Sequence, residues 1–163
     1  MERAAMDGSF YISYTVDAID TDALRFAPSQ LSFQLHAMTG RAAVSMGQKR
    51  VDVPTCSLLY FAHTLVYLTT MPLLYGTEEW EANIDHGLDM SSSIEGNRLR
   101  LTFSGLPVPP TVNFDIPPVV ALAEVGRFNG ALVKEYYRSV GDQRKYFRIS
   151  QLLPFASVKL IPQ

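Results

Sequence analysis

The sequence predicts an α+β fold: a mostly antiparallel sheet, a buried central helix, and a C-terminal helix pair covering one face. Three observations carry this. Strand-patterned segments fill much of the first fifty residues and return between 90 and 116. A run of 25 residues without a formal charge, 53–77, separates the two strand groups. Apolar residues at helical spacing then occupy 119–139. Strands, one helix, more strands and terminal helices give an α+β order, because a parallel sheet would need strands and helices in alternation. The 163 residues fit a single domain over 1–163 and can bury a real core, with residues 1–8 expected to be loosely ordered.

Taken in order, residues 10–16 are β-branched and aromatic, the composition of a strand. Asp17, Asp20 and Asp22 follow in a solvated turn, without the glycine and distal glutamate of a calcium loop. Residues 31–36 alternate Leu31, Phe33 and Leu35 against Ser32, Gln34 and His36, a half-buried strand. Thr39 and Gly40 turn the chain into a partner strand at 42–46, and Gly47 turns it again before 51–53. The central helix is expected to enter at Pro54 and close at Pro72, since a proline is tolerated only in the first turn. Its apolar side carries Leu58, Ala62, Leu65, Val66 and Thr69, and a narrower stripe carries Ser57, Tyr60, His63, Thr64, Tyr67 and Thr70.

Residues 75–89 read as acidic and turn-rich. A strand at 90–94 and a turn at Gly96 lead into 98–103, where Leu99, Leu101 and Phe103 alternate with Arg98, Arg100 and Thr102. A proline-stiffened connection at 105–110 precedes a short strand at 112–116. Pro117 and Pro118 start the next helix, in which Gly126 and Gly130, four apart, allow close packing on a neighbour. Gly141 breaks it, and Asp142 caps a shorter helix over 143–153, which Pro154 ends.

Composition narrows the function. A net charge of −2 and a pI near 5.9 argue against direct binding of nucleic acid, which calls for a basic surface. The single Cys56 excludes an intramolecular disulfide and fits a reducing, cytoplasmic setting. Residues 53–77 approach the length of a membrane span, but two prolines and His63 interrupt them and Glu78 and Glu79 follow in place of a basic anchor, so no membrane partner is expected. On one helix Cys56 and His63 would stand two turns apart, roughly 10 Å, too far for a thiolate–imidazole pair. The three histidines form no metal-ligand spacing, and no phosphate-binding loop or nucleophile elbow occurs. The expectation is therefore no catalytic residue, no metal and no cofactor.

Charge segregation is the positive signal. Between Arg50 and Arg98 there is no Lys or Arg, while Asp52, Glu78, Glu79, Glu81, Asp85, Asp89 and Glu95 all lie there. Seven basic residues, Arg127, Lys134, Arg138, Arg144, Lys145, Arg148 and Lys159, gather near the other end. Trp80, the sole tryptophan, sits inside the acidic segment with Tyr75 nearby. A ring within a carboxylate rim suits a basic protein partner, the ring anchoring and the charges steering. The alternative for the same residues is a solvated loop balancing the molecule's own basic helices, with Trp80 in the core.

The order of elements and the texture of residues 80–89 and 94–103 resemble the small immunity proteins of bacterial polymorphic-toxin and contact-dependent inhibition systems. That resemblance spans mainly 54–140 and rests on no diagnostic motif. It implies a cytoplasmic, binding-only protein that neutralises a cognate toxin by occluding its active site. The expected contact surface, read from this chain's own charges, is Tyr75, Glu78, Glu79, Trp80, Glu81, Asp85 and Asp89. Two other functions stay open: a ligand-binding protein or enzyme with a pocket between sheet and helices, lined by Tyr60, His63 and Tyr67, and a self-associating assembly subunit.

Overall fold

The computed structural model describes residues 8–20, 36–76, 78–84 and 87–140. Seven strands and two helices are arranged in two successive groups. In the first, β1 (Tyr11–Ile19), β2 (Met38–Met46) and β3 (Lys49–Ser57) form an antiparallel sheet in that order, followed by α1 (Leu58–Tyr75). In the second, β4 (Trp80–Ile84), β5 (Leu88–Glu95), β6 (Arg98–Ser104) and β7 (Thr111–Ile116) form an antiparallel meander, followed by α2 (Pro118–Val140). The α+β expectation holds, with the strands divided between two sheets. The expected strand at 31–36 falls, apart from His36, outside the described residues, as do the helix at 143–153, the tail beyond it, and residues 1–7.

α1 packs against β2 of the first sheet and β4 and β5 of the second, and α2 packs on α1 and β1. Its burial follows from composition: with no charge on any side, Leu58, Leu59, Phe61, Ala62, Leu65 and Leu68 are all fully enclosed. Alternation delivers the facing layers, Val51 and Val53 from β3, Met90 from β5, Leu99, Leu101 and Phe103 from β6, and Phe114 from β7. Phe61 and Phe128 meet edge to face at 5.9 Å where the helices touch. By length and composition α1 is apolar enough to cross a membrane, with a mean hydropathy of 1.3, and 56% of it is buried within this fold.

The helix boundaries differ from the expected ones. Residues 53–57 are strand, with Pro54 and Thr55 exposed and Val53 and Cys56 buried. Ser57 is the N-cap, its hydroxyl accepting from the Tyr60 N–H at 3.4 Å, so the helix begins behind a capping side chain and not behind the proline. Cys56 therefore belongs to β3, and the helical spacing assumed between it and His63 does not apply. Pro72 lies inside α1, three residues before its end, where the helix runs on for most of a turn. Asp17, expected in a turn, is in β1 and pairs with Arg41 at 3.5 Å.

Sheet edges expose unpaired backbone groups, and here side chains occupy some of them. On β1, the Ile12 N–H donates to Glu124 Oε1 at 2.7 Å and the Ile12 carbonyl accepts from Arg127 Nη2 at 2.6 Å, so two side chains of α2 take the place of a neighbouring strand. The same guanidinium lies 4.5 Å from the centroid of the Tyr11 ring. Tyr14 extends the seam, its hydroxyl donating to Glu135 Oε2 at 3.1 Å. β3 and β7 approach one another, with Lys49 Nζ donating to the Asn113 carbonyl at 2.7 Å.

Candidate functional site

The expected contact residues lie where α1 ends and β4 begins. α1 stops at Gly76, whose φ of 87° is a conformation glycine adopts without a Cβ penalty and whose N–H donates to the Pro72 carbonyl at 3.0 Å. No basic residue occupies the last turn, so nothing there offsets the negative end of the helix dipole. That turn exposes apolar surface: Leu73 is 39%, Leu74 71% and Tyr75 65% accessible. Glu78 and Glu79 follow, both exposed, and lead directly into β4.

β4 overturns the expectation of an irregular acidic turn at 75–89. Trp80, Ala82 and Ile84 point inward, and Glu81 and Asn83 point to solvent. Trp80 is neither a core residue nor a free anchor. Its ring is half-buried, edge-on to Tyr67 at 5.8 Å and tilted against the exposed Tyr75 at 5.9 Å. The indole Nε1 and the hydroxyl of Ser92, its cross-strand partner, are buried without a hydrogen bond.

The outer face of this sheet carries two polar rows fixed by the register. One runs Glu81, Ser91, Thr102, Asn113, and the other Asn83, Asp89, Ser104, Thr111. Short side chains leave an open groove of about 670 Å³, whose charged members are Glu79, Glu81 and Asp89. Asp89 accepts a hydrogen bond from Asn83. Further along the sheet the charges cancel. Arg100 reaches Glu95 at 2.6 Å and Asp115 at 2.8 Å, and Arg98 donates to the Asp115 carbonyl at 2.7 Å. The hydrogen bond from Arg100 holds the Asp115 carboxyl below its ordinary range. Asp52 is likewise paired, with Arg50 at 2.7 Å. Among the described residues no basic side chain pairs with Glu78, Glu79, Glu81 or Asp89. The acidic segment thus divides into a neutralised part and an uncompensated part next to β4.

Tyr75 and Trp80 thus meet on the helix side of this corner, Glu79, Glu81 and Asp89 line the outer groove, and Glu78 lies in the connection between. Asp85 and His86 fall outside the described residues. Sequence reasoning missed the exposed Leu73 and Leu74, and it missed the short polar residues of the two rows, Ser91 and Thr102 in one and Ser104 and Thr111 in the other. The period-two pattern from Trp80 to Ile84 was the signal for β4, masked by the carboxylates of Glu78, Glu79, Glu81 and Asp85.

The stripe on α1 is largely consumed by packing. Tyr60 stacks on the His36 ring at 5.9 Å, and Tyr67 meets Trp80. The Thr69 and Thr70 hydroxyls donate to the Leu65 and Val66 carbonyls one turn earlier, at 2.7 and 2.6 Å. Among the described residues no three His, Cys, Asp or Glu side chains gather in a group able to hold a metal ion. No protein-family model, curated protein or solved structure matches this chain.

Proposed function

We propose that this protein acts by binding alone, neutralising a cognate toxin by covering its active site with the surface around the α1–β4 corner. The observation that carries the reading is the junction of exposed apolar surface, Leu73, Leu74 and Tyr75, with Glu78, Glu79, Glu81 and Asp89, which lack basic partners among the described residues. Apolar surface supplies affinity by leaving water, and like-signed charge at its rim speeds encounter with a cationic partner and rejects others. The toxin's basic substrate cleft is the partner surface that fits. Binding takes place in the cytoplasm of the producing bacterium, and the protein supplies no catalytic group.

The test is to look for a basic toxin domain in the neighbouring reading frame and to co-express it with this chain, scored by growth, with the kinetics of the purified pair as a second readout; a neighbouring frame with no such domain counts against the reading. Association should slow as salt rises from ~0.05 to ~0.5 M, because the Debye length shrinks severalfold. Glu79→Lys should lower the association rate by about tenfold. Tyr75→Ala and Trp80→Ala should speed dissociation, each costing on the order of 2 kcal/mol if the rings anchor the complex. Circular dichroism checks that Trp80→Ala stays folded, and the exposed Tyr75 makes the same test without that concern. Wild-type kinetics in all three would remove this surface.

A further inference from the structure

Four edges terminate the two sheets, and the structure treats one of them differently. The β1 edge is capped by Glu124 and Arg127, and the β3 and β7 edges face each other across the Lys49–Asn113 contact. β4 is the outermost strand of its sheet, and among the described residues its backbone bonds only to β5. Among the described residues it carries no proline, no lysine and no bulge. What it has is charge of one sign, Glu79 and Glu81 on the strand approach and Asp89 beside them.

We propose that the free edge of β4 accepts an added strand, an extended lysine- or arginine-bearing segment of a protein partner, hydrogen-bonded to residues 80–84 with its cations over Glu79, Glu81 and Asp89. This rests on the partner-binding reading above and says how the partner is held. A strand laid ~4.8 Å from β4 directs alternate side chains to opposite faces, about 6.8 Å apart on each face. On the outer face they meet Glu81 and the groove, where cross-strand neighbours of opposite charge attract. On the other face they run beside Trp80 and Tyr75, which favours apolar residues. The occupant is therefore a segment alternating basic and apolar residues. A second copy of this chain fits poorly, because pairing β4 with itself brings carboxylates against carboxylates.

The probe is an acetylated, amidated peptide of alternating lysine and valine, about nine residues long, the upper end of ordinary strand length. Its twin, methylated at every backbone nitrogen, keeps the charges and side chains but has no backbone N–H to donate. The first should bind the full chain and slow hydrogen exchange of β4 amides by about tenfold or more, with the twin at least tenfold weaker. Equal binding by the two, abolished in Glu79→Lys, would overturn the added strand while leaving the acidic surface in place. Binding by neither would also overturn it, and the surface would then stand or fall on the toxin experiment. Protection of β4 amides in a peptide-free dimer would put a second copy at the edge and overturn the cationic occupant.

Discussion

Gly40→Ala is the most demanding single-atom test of the first sheet. Gly40 is buried in β2, paired with Val16 on one side and Cys56 on the other, and the register shifts next to it in both pairings. A Cβ placed there would sit 2.1 Å from the Thr15 carbonyl oxygen, 3.1 Å from its carbon and 2.7 Å from Leu58 Cδ1. The leucine tip can rotate aside, but the carbonyl is backbone in a hydrogen-bonded strand. It must retreat by roughly 1.4 Å to reach a contact near 3.5 Å. Overpacking of this kind costs about 1–3 kcal/mol, against about 0.4–1 kcal/mol gained from a stiffer unfolded chain. The net is a loss of about 1.3 kcal/mol, or a Tm lowered by about 3–5 °C in a chain of this size. Gly47→Ala is the control, since its φ of 60° is strained for alanine while nothing lies within 4 Å of the new atom. That strain alone costs about 1–2 kcal/mol. Urea denaturation of both variants at matched slope measures the difference, and hydrogen exchange locates it. Gly40→Ala should loosen the amides of β1 and of the first turn of α1, which Gly47→Ala should leave alone. Two variants with the same exchange pattern would refute the close approach of β1 to Gly40.

Two further outcomes follow from buried polar groups. Asn129 on α2 is fully buried with neither amide atom hydrogen-bonded, so Asn129→Leu, similar in size, should raise stability by about 1 kcal/mol and Tm by about 2–4 °C. A destabilised variant in thermal melts would show that the amide has a partner. Burial, then the hydrogen bond to Glu135, pushes the Tyr14 hydroxyl up from 10.0 to about 12. The folded state holds this proton more tightly than the unfolded chain, so the contribution is full below pH 10 and is lost as pH rises through about 12. Burial pushes Tyr136 in the same direction. Stability measured against pH should therefore fall above pH 10 in the wild type and less steeply in Tyr14→Phe. Parallel alkaline curves would contradict the assignment.

What the chain discloses by itself divides along physical lines. Period-two alternation over residues 98–103 and helical spacing over 119–139 are local, and β6 and α2 lie where those patterns put them. The uncharged run identified the buried helix but misplaced its entry. Pro54 continues the alternation of Val51, Asp52 and Val53, and Ser57 is a capping residue, yet absence of charge drew Pro54 to Ser57 into the helix. β4 was obscured because its exposed positions, Glu81 and Asn83, are polar and its flanks acidic, the composition of a loop. Neither the Ile12 seam nor the groove was legible at all. Glu124 is 112 residues from Ile12, and the groove needs the register of three strands to bring Glu81 and Thr102 into one row. Which acids are neutralised is equally a matter of three dimensions, since Glu95 and Asp89 look alike in sequence while Arg100 holds only the first.

The hold of α2 on Ile12 also sets an order of events during synthesis. A ribosome releases the first sheet long before Arg127 emerges, so the nascent β1 waits with its outer N–H and C=O groups facing water and any passing strand. Translation of the second sheet must intervene before the molecule can seal that flank with its own glutamate and arginine. A chain arrested between β7 and α2 would carry open flanks at β1 and β4, where among the described residues the finished protein presents only the latter, and its vulnerability to sticking would be greatest there.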